Sequence, residues 1–280
     1  MKFISIDLFS GAGGLTSGLN ESGFQTILAS DFDKQISDTF QKNFKNVKFL
    51  CEDIKRINFL DIKKEMGLKN NELDLIVGGP PCQGFSMANR KRIEDDPRNL
   101  LFRNFYNAVK ILKPKCFLIE NVTGLQSEDI ALRTKQQPTT HAIANYFKSI
   151  DYEIKFLTFR SEEFGIPQFR RRVLIIGTNI SKKKELLKLG QIGNLEGKYK
   201  SYESLKNENY NQSELFSNPK PNPFSVWDAL SDLPKIKAGE NADGKEYFSE
   251  PKNGYQKKMR KYSSKVYNHS ATPHDKIALE

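Results

Sequence analysis

The chain has 280 residues, 38% hydrophobic and 28% charged, enough for one large domain or two of about 150 residues. Its mean hydropathy is −0.59, with no uninterrupted apolar run of about 18 residues to cross a membrane as a helix. Forty-four basic against 34 acidic residues give a net charge of +10, which favours polyanionic partners, while three scattered cysteines and three histidines argue against a disulfide framework or a zinc pattern.

In chain order, Phe3–Phe9 reads as a buried strand that runs into the glycine turn Ser10-Gly11-Ala12-Gly13-Gly14. A short amphipathic helix with Leu15 and Leu19 inward follows, stopped by Gly23. Further strands are expected at Thr26–Ser30, Val47–Cys51, Leu73–Val77, Cys116–Ile119, Glu153–Phe159 and Arg172–Gly177. A helical pattern spans Asn99–Leu112, closed by Pro114. Strands separated by helix-length segments imply an α/β fold with a doubly wound, mostly parallel sheet, whose ligands sit at the carboxyl ends of the strands. The expected organisation is a catalytic domain over 1–178 and a polar linker over 179–223. A second region over 224–280 opens with a capped short helix at Phe224–Leu230.

The unusual residues gather at the predicted strand ends. Gly11 and Gly13 let backbone N–H groups approach a ligand closely. Asp31 lies 20 residues beyond Gly11 at the end of the second strand, where a carboxylate can accept ribose hydroxyl protons. Asp53 ends the third strand and is placed to take an adenine amino group. Agreement on three successive strands favours an adenosine ligand, and the incomplete G-x-G-x-x-G pattern argues against a dinucleotide.

Gly79-Pro80-Pro81-Cys82-Gln83-Gly84-Phe85-Ser86 is the most informative run. Two prolines stiffen the backbone and end the strand, so Cys82 is expected on a rigid turn as a thiolate nucleophile. Cys51 and Cys116, inside apolar strands, read instead as small buried hydrophobes. Glu120 follows the apolar run Phe117-Leu118-Ile119, so poorly solvated surroundings and a role as proton donor are expected. In Gln168-Phe169-Arg170-Arg171-Arg172, alternation puts Arg170 and Arg172 on one side, a fork for a carbonyl oxygen or phosphate.

At these residues the sequence resembles the DNA cytosine-5 methyltransferases of bacterial restriction–modification systems. The matching pieces are Asp7-Leu8-Phe9-Ser10-Gly11-Ala12-Gly13-Gly14, Pro80-Pro81-Cys82-Gln83-Gly84-Phe85-Ser86, Glu120-Asn121-Val122 and Gly165-Ile166-Pro167-Gln168-Phe169-Arg170-Arg171-Arg172, in order over about 170 residues. The resemblance implies the Rossmann-like fold of S-adenosylmethionine-dependent methyltransferases, with S-adenosylmethionine and no metal as cofactor. Phe9, Gly11, Gly13, Asp31, Phe32, Asp53 and Ile54 would line its pocket, with Pro80 and Leu101 closing it. Cys82 would add to C6 of a cytosine, Glu120 would meet N3, and Arg172, with Arg170 beside it, would hold O2. Ser86 to Arg98, with Arg90, Lys91, Arg92 and Arg98, looks like the loop that closes over double-stranded DNA and meets its phosphates.

The family normally continues into a target-recognition domain, of which 224–280 would be the start, and two more catalytic-domain motifs; Asn268-His269 resembles the approach to the recognition region. The expectation is a truncated chain or one subunit of a split enzyme, with a second chain supplying the remainder. A cytoplasmic, nucleoid-associated bacterial enzyme is expected, since Met1–Asp7 carries an acid in its apolar run and no secretory cleavage site. Two alternatives stay open: a tRNA cytosine-5 methyltransferase, and a non-catalytic DNA-binding subunit of a split methyltransferase.

Overall fold

The computed structural model describes residues 3–81, 99–122, 139–161, 166–183 and 225–273. The chain divides into two compact units, Met1–Phe159 with Arg171–Leu215, and Arg160–Arg170 with Phe216–Glu280.

The first unit is built on a seven-stranded sheet. Its strands are β1 (Phe3–Leu8), β2 (Phe24–Asp31), β3 (Lys48–Cys51), β4 (Leu75–Gly78), β5 (Cys116–Asn121), β6 (Tyr152–Arg160) and β7 (Arg171–Asn179), in the order β3-β2-β1-β4-β5-β7-β6. Pairings from β3 through β5 are parallel, as the strand–helix alternation predicts, whereas β7 returns antiparallel to β5. The β1-β2-β3 series runs one way from β1 and β4-β5 the other, so the topological switch point lies between β1 and β4.

Among the described residues, five helices connect these strands: α1 (Gly14–Glu21), α2 (Lys34–Asn43), α3 (Phe59–Glu65), α4 (Asn99–Leu112) and α5 (Thr139–Lys148). Asp33 and Asn58 cap α2 and α3 by accepting backbone N–H groups of their first turns. Leu15 and Leu19 of α1 are only half-buried, and the deeply buried residue is Thr16, which donates to Asp7 through Oγ1 at 2.6 Å and its N–H at 3.1 Å. None of the helices among the described residues is long and apolar enough to cross a membrane.

The core packs Ile6, Leu8, Leu28 and Ile76 of the sheet against Phe102, Phe105, Val109 and Leu112 of α4. Phe117 stacks against Phe147 at 4.1 Å between ring centroids and packs on Phe105 and Tyr152. The ring occupies the space above Gly177, where any Cβ would lie 2.0 Å from it. β4 also comes close to β1, since a Cβ on Gly78 would sit 2.5 Å from the Leu8 carbonyl oxygen.

Two expectations about cysteines part here. Cys116 is largely enclosed and burial pushes its thiol up to about 11, as expected for an inert residue. Cys51 is exposed, because β3 is the edge strand and Cys51 its last residue.

In the second unit, helix α6 (Val226–Leu230) is closed by a capping box in which Ser225 and Asp228 satisfy each other's backbone N–H. Helix α7 (Gly254–Met259) is tied to this segment by Gln256 Nε2, which donates to the Asp228 carbonyl at 2.7 Å. Arg260 donates to Asp232 from both Nε and Nη2, and lies 3.8 Å over the Tyr247 ring. His269 Nε2 sits 2.7 Å from the Pro234 carbonyl oxygen.

Candidate active site

Each parallel strand delivers its C-terminal residues to the same edge of the sheet, and antiparallel β7 brings its first residues there. Across that edge stand Asp53 after β3, Asp31 and Phe32 at the end of β2, and Phe9 to Gly13 after β1. They are followed by Gly79 and Pro80 after β4, Glu120 and Asn121 ending β5, and Arg172 at the start of β7.

On one flank, Asp31 Oδ2 accepts the Gly11 N–H at 2.9 Å and Oδ1 accepts that of Asp33 at 3.1 Å. Each oxygen keeps further lone-pair capacity for a hydroxyl donor. Phe9 turns the chain off β1 in a left-handed conformation at φ 58°, which a non-glycine residue adopts only at a cost of roughly 1–3 kcal/mol. Gly13 is required by its surroundings: its φ is 96°, and a Cβ would meet the Phe44 ring at 2.2 Å. Above Gly11, by contrast, the space is open.

Phe32 leaves 76% of its surface exposed at the strand end, a free aromatic face beside a half-buried carboxylate. Asp53 is half-buried and accepts the Lys55 N–H at 3.0 Å. Ile54 is nine-tenths buried and belongs to the hydrophobic core, so it backs this flank from behind. Leu101 on α4 is half-buried and packs on the same core.

The other flank holds charge. Arg172 Nε lies 2.7 Å from Glu120 Oε1, with both side chains about a quarter exposed. The Nε–H is not aimed at the carboxylate, so the contact is an ion pair and not a directed hydrogen bond, while Nη1 donates to the Arg171 carbonyl at 2.7 Å. Glu120 Oε2 stands over Gly79, 3.6 Å from where a Cβ would be. The apolar surroundings expected for Glu120 are thus replaced by a cation.

Arg170 does not share the strand with Arg172. It precedes β7, is exposed, and its carbonyl accepts from the Ser161 N–H at 2.9 Å. The expected fork therefore loses its premise, since alternation requires both residues to be in one extended strand.

Sequence reasoning passed over two residues. Asn121 is 5% exposed, donates from Nδ2 to the Pro80 carbonyl at 3.2 Å, and accepts the Val122 N–H on its other side-chain atom. It fastens the β4 turn that leads into Pro81 and Cys82 to the end of β5. Asp7 is fully buried beneath the glycine turn, with Oδ2 held by Thr16 and Oδ1 unpartnered among the described residues. Burial, partly opposed by the two Thr16 hydrogen bonds and assisted by the Asp31 charge, pushes its carboxyl up to about 7. Cys82, Ser86, Arg90, Lys91, Arg92 and Arg98 lie outside the described residues.

Comparison with known proteins gives this geometry a context. The profile of the family described as C-5 cytosine-specific DNA methylase matches residues 3–278. The Type II methyltransferase M.DdeI of Desulfomicrobium norvegicum is 35% identical over 274 residues, covering 96% of this chain and 57% of that protein. The Type II methyltransferase M.AgeI of Thalassovita gelatinovora is 32% identical over 277 residues, covering 95% of this chain and 60% of that protein. A crystal structure described as a DNA modification methyltransferase from an E. coli prophage superposes with a TM-score of 0.63 at 29% identity. It covers 92% of this chain and 64% of that one. The chain thus spans somewhat over half the length of the curated relatives it matches.

Proposed function

The chain belongs to the C-5 cytosine-specific DNA methylase family, and on that premise we propose that it methylates C5 of a flipped-out cytosine in double-stranded DNA, as part of a restriction–modification system. One juxtaposition supports this most: Glu120, paired with Arg172, stands over Gly79, which leads directly into Pro80-Pro81-Cys82. An acid and a cation thereby share the sheet edge from which the chain runs on in sequence to Cys82.

S-adenosylmethionine, when bound, supplies an electrophilic methyl group. The flank from β1 to β3 suits it: Asp31 keeps acceptor capacity for the ribose hydroxyls, Phe32 offers an uncovered face for adenine, and the space above Gly11 is open. Phe9, Gly13 and Asp53 shape the rest, Ile54 supports them, and Pro80 and Leu101 close the side toward the charged pair.

A stacked base cannot present C6 to a thiolate, so the nucleotide leaves the duplex at a cost of a few kcal/mol. Cys82 sulfur then bonds to C6, and the displaced electron pair makes C5 nucleophilic. Glu120 donates to N3 and Arg172 to O2, which stabilises the charge developing on the ring. After C5 is alkylated, loss of its proton and expulsion of the Cys82 thiolate restore the aromatic ring. Ser86, Arg90, Lys91, Arg92 and Arg98 would meet phosphates.

DNA is the first proposed partner and, through it, the nucleoid the location. A chain carrying the recognition domain and remaining motifs is the second, supported if its addition raises methylation. The decisive experiment uses duplex DNA carrying 5-fluorocytosine, in which the C5 proton is replaced and elimination stalls. Incubated with S-adenosylmethionine, with and without a candidate C-terminal chain, the chain is expected to form a stable adduct at Cys82, and Cys82→Ser none. Methylation that survives Cys82→Ser would overturn the reading.

A further inference from the structure

The turn between β1 and α1 is an unfavourable piece of backbone. Of its residues from Phe9 to Gly13, three are left-handed: Phe9 at φ 58°, Gly11 at 54° and Gly13 at 96°. Such a stretch keeps its shape only where the surroundings over-determine it. Gly13 is also the N-cap of α1 and, having no side chain, makes no cap hydrogen bond. Asp7 supplies what Gly13 lacks. Its Oδ2 accepts the N–H of Thr16, the third residue of α1, at 3.1 Å, and the Thr16 hydroxyl at 2.6 Å. A side chain six residues before the N-cap thus acts as a remote cap of the helix.

A carboxyl is a costly choice at this position. Asp7 is fully buried, and its Oδ1 has no hydrogen-bond partner among the described residues. An apolar side chain would pack there without that cost, so the two bonds to α1 are what the acid adds. Its backbone is fixed on both sides, opposite Ala29 of β2 and Val77 of β4. The acceptor therefore stands on a strand that is paired along both edges, and it reaches across the turn to a Thr16 that is equally buried.

We propose that Asp7 and Thr16 are positioning residues for S-adenosylmethionine: without touching it, they hold the turn from Phe9 to Gly13 in its receiving shape before the cofactor arrives. The inference rests on the cofactor site proposed above. The turn has another hold, the Gly11 N–H on Asp31 Oδ2 at 2.9 Å, but that carboxylate is the one assigned to the ribose, whose hydroxyls compete for it. The Asp7–Thr16 link lies beneath the turn, out of the cofactor's reach, and persists in both states. A turn that is formed only part of the time binds its ligand more weakly by that fraction, so the link acts on affinity.

The test measures S-adenosylmethionine affinity of the full chain by equilibrium dialysis, beside amide hydrogen exchange without cofactor. Asp7→Ala is expected to weaken affinity about fivefold to tenfold, the worth of a lost cap and a second hydrogen bond, and Thr16→Val about threefold. Asp7→Asn and Thr16→Ser keep the acceptor and the hydroxyl and should stay within about twofold of wild type. The Thr16 amide should exchange roughly tenfold faster in Asp7→Ala, while amides of α4 keep their rates. Tyr152→Phe is the control: it removes a buried hydrogen bond to the Pro114 carbonyl at the opposite edge of the sheet and should bind the cofactor as wild type does. Should Asp7→Ala not fold, Thr16→Val against Thr16→Ser makes the same comparison. Wild-type affinity in the folded Asp7→Ala and in Thr16→Val overturns the proposal, as does an equal loss in the conservative variants or in Tyr152→Phe. That result leaves the cofactor site standing, since wild type still binds. If wild type binds no S-adenosylmethionine, the cofactor site itself fails and this inference with it.

Discussion

Glu120 and Arg172 meet across the β5–β7 ladder with Oε1 and Nε 2.7 Å apart. They are 52 positions apart in sequence, and the contact exists because β7 runs antiparallel to β5 and so starts where β5 ends. The register pairs Glu120 with Leu174, placing Arg172 two residues beyond the end of that pair and free to fold its head over the carboxylate.

Glu120→Gln keeps the size and removes the exchangeable acid. Turnover under single-turnover conditions is expected to fall by roughly 10²–10⁴-fold, the usual worth of a positioned acid, while DNA affinity changes little. Arg172→Lys should be milder, since a cation remains but the planar fork is lost. A Glu120→Gln rate within threefold of wild type would remove Glu120 from the chemistry.

Asn121 acts through Pro80. Pro80 has no N–H, so its carbonyl is its one backbone polar group, and Asn121 Nδ2 donates to it at this buried position. Asn121→Ala should cost about 1–3 kcal/mol and lower the thermal midpoint by some 2–4 °C per kcal/mol. Because Pro80 both leads to Cys82 and closes the proposed cofactor flank, kcat should drop and S-adenosylmethionine affinity should weaken with it. Calorimetry and titration of the same preparation check both halves, and a stability loss without a kcat loss would make Asn121 structural only.

How far the sequence alone reaches can be judged from particular residues. Asn99–Leu112 is helical over its full predicted span, because its apolar period is local information. Asp31 lies against Gly11 as the strand-end pattern implies, because adjacent parallel strands place those ends together. Cys51 shows what is missing: an apolar run does not reveal whether its strand is central or at the edge. Glu120 shows the same at longer range, since the strand that returns with Arg172 is set by topology and not by neighbours in the chain. Thr16 buried in place of Leu15 follows from Asp7, a buried acid that needs a donor more than the helix needs an apolar contact.

Phe32 is 76% exposed, so Phe32→Ala removes little packing. The thermal midpoint without cofactor should stay put, whereas affinity for S-adenosylmethionine should fall roughly tenfold if the ring stacks on adenine. Equilibrium dialysis with wild type alongside decides it, and equal affinities would empty that flank of its aromatic contact.

Asp7 makes stability depend on pH in an unusual direction for a carboxylate. Its folded carboxyl is raised from 3.8 to about 7, chiefly by burial. The folded state therefore binds this proton more tightly than the unfolded chain does. The stabilisation is fully present below about 3.8 and is lost progressively as pH rises through about 7, because ionising the acid strands charge in the core. Asp7→Asn keeps an acceptor for Thr16 and removes the titration. Urea midpoints measured from pH 5 to pH 8 should fall more steeply in wild type than in Asp7→Asn, with the gap closing or reversing toward pH 8. Other titrating groups act equally on both proteins, so the difference isolates this one. Parallel pH profiles would mean that Asp7 is ionised throughout, and that a donor reaches Oδ1 in solution.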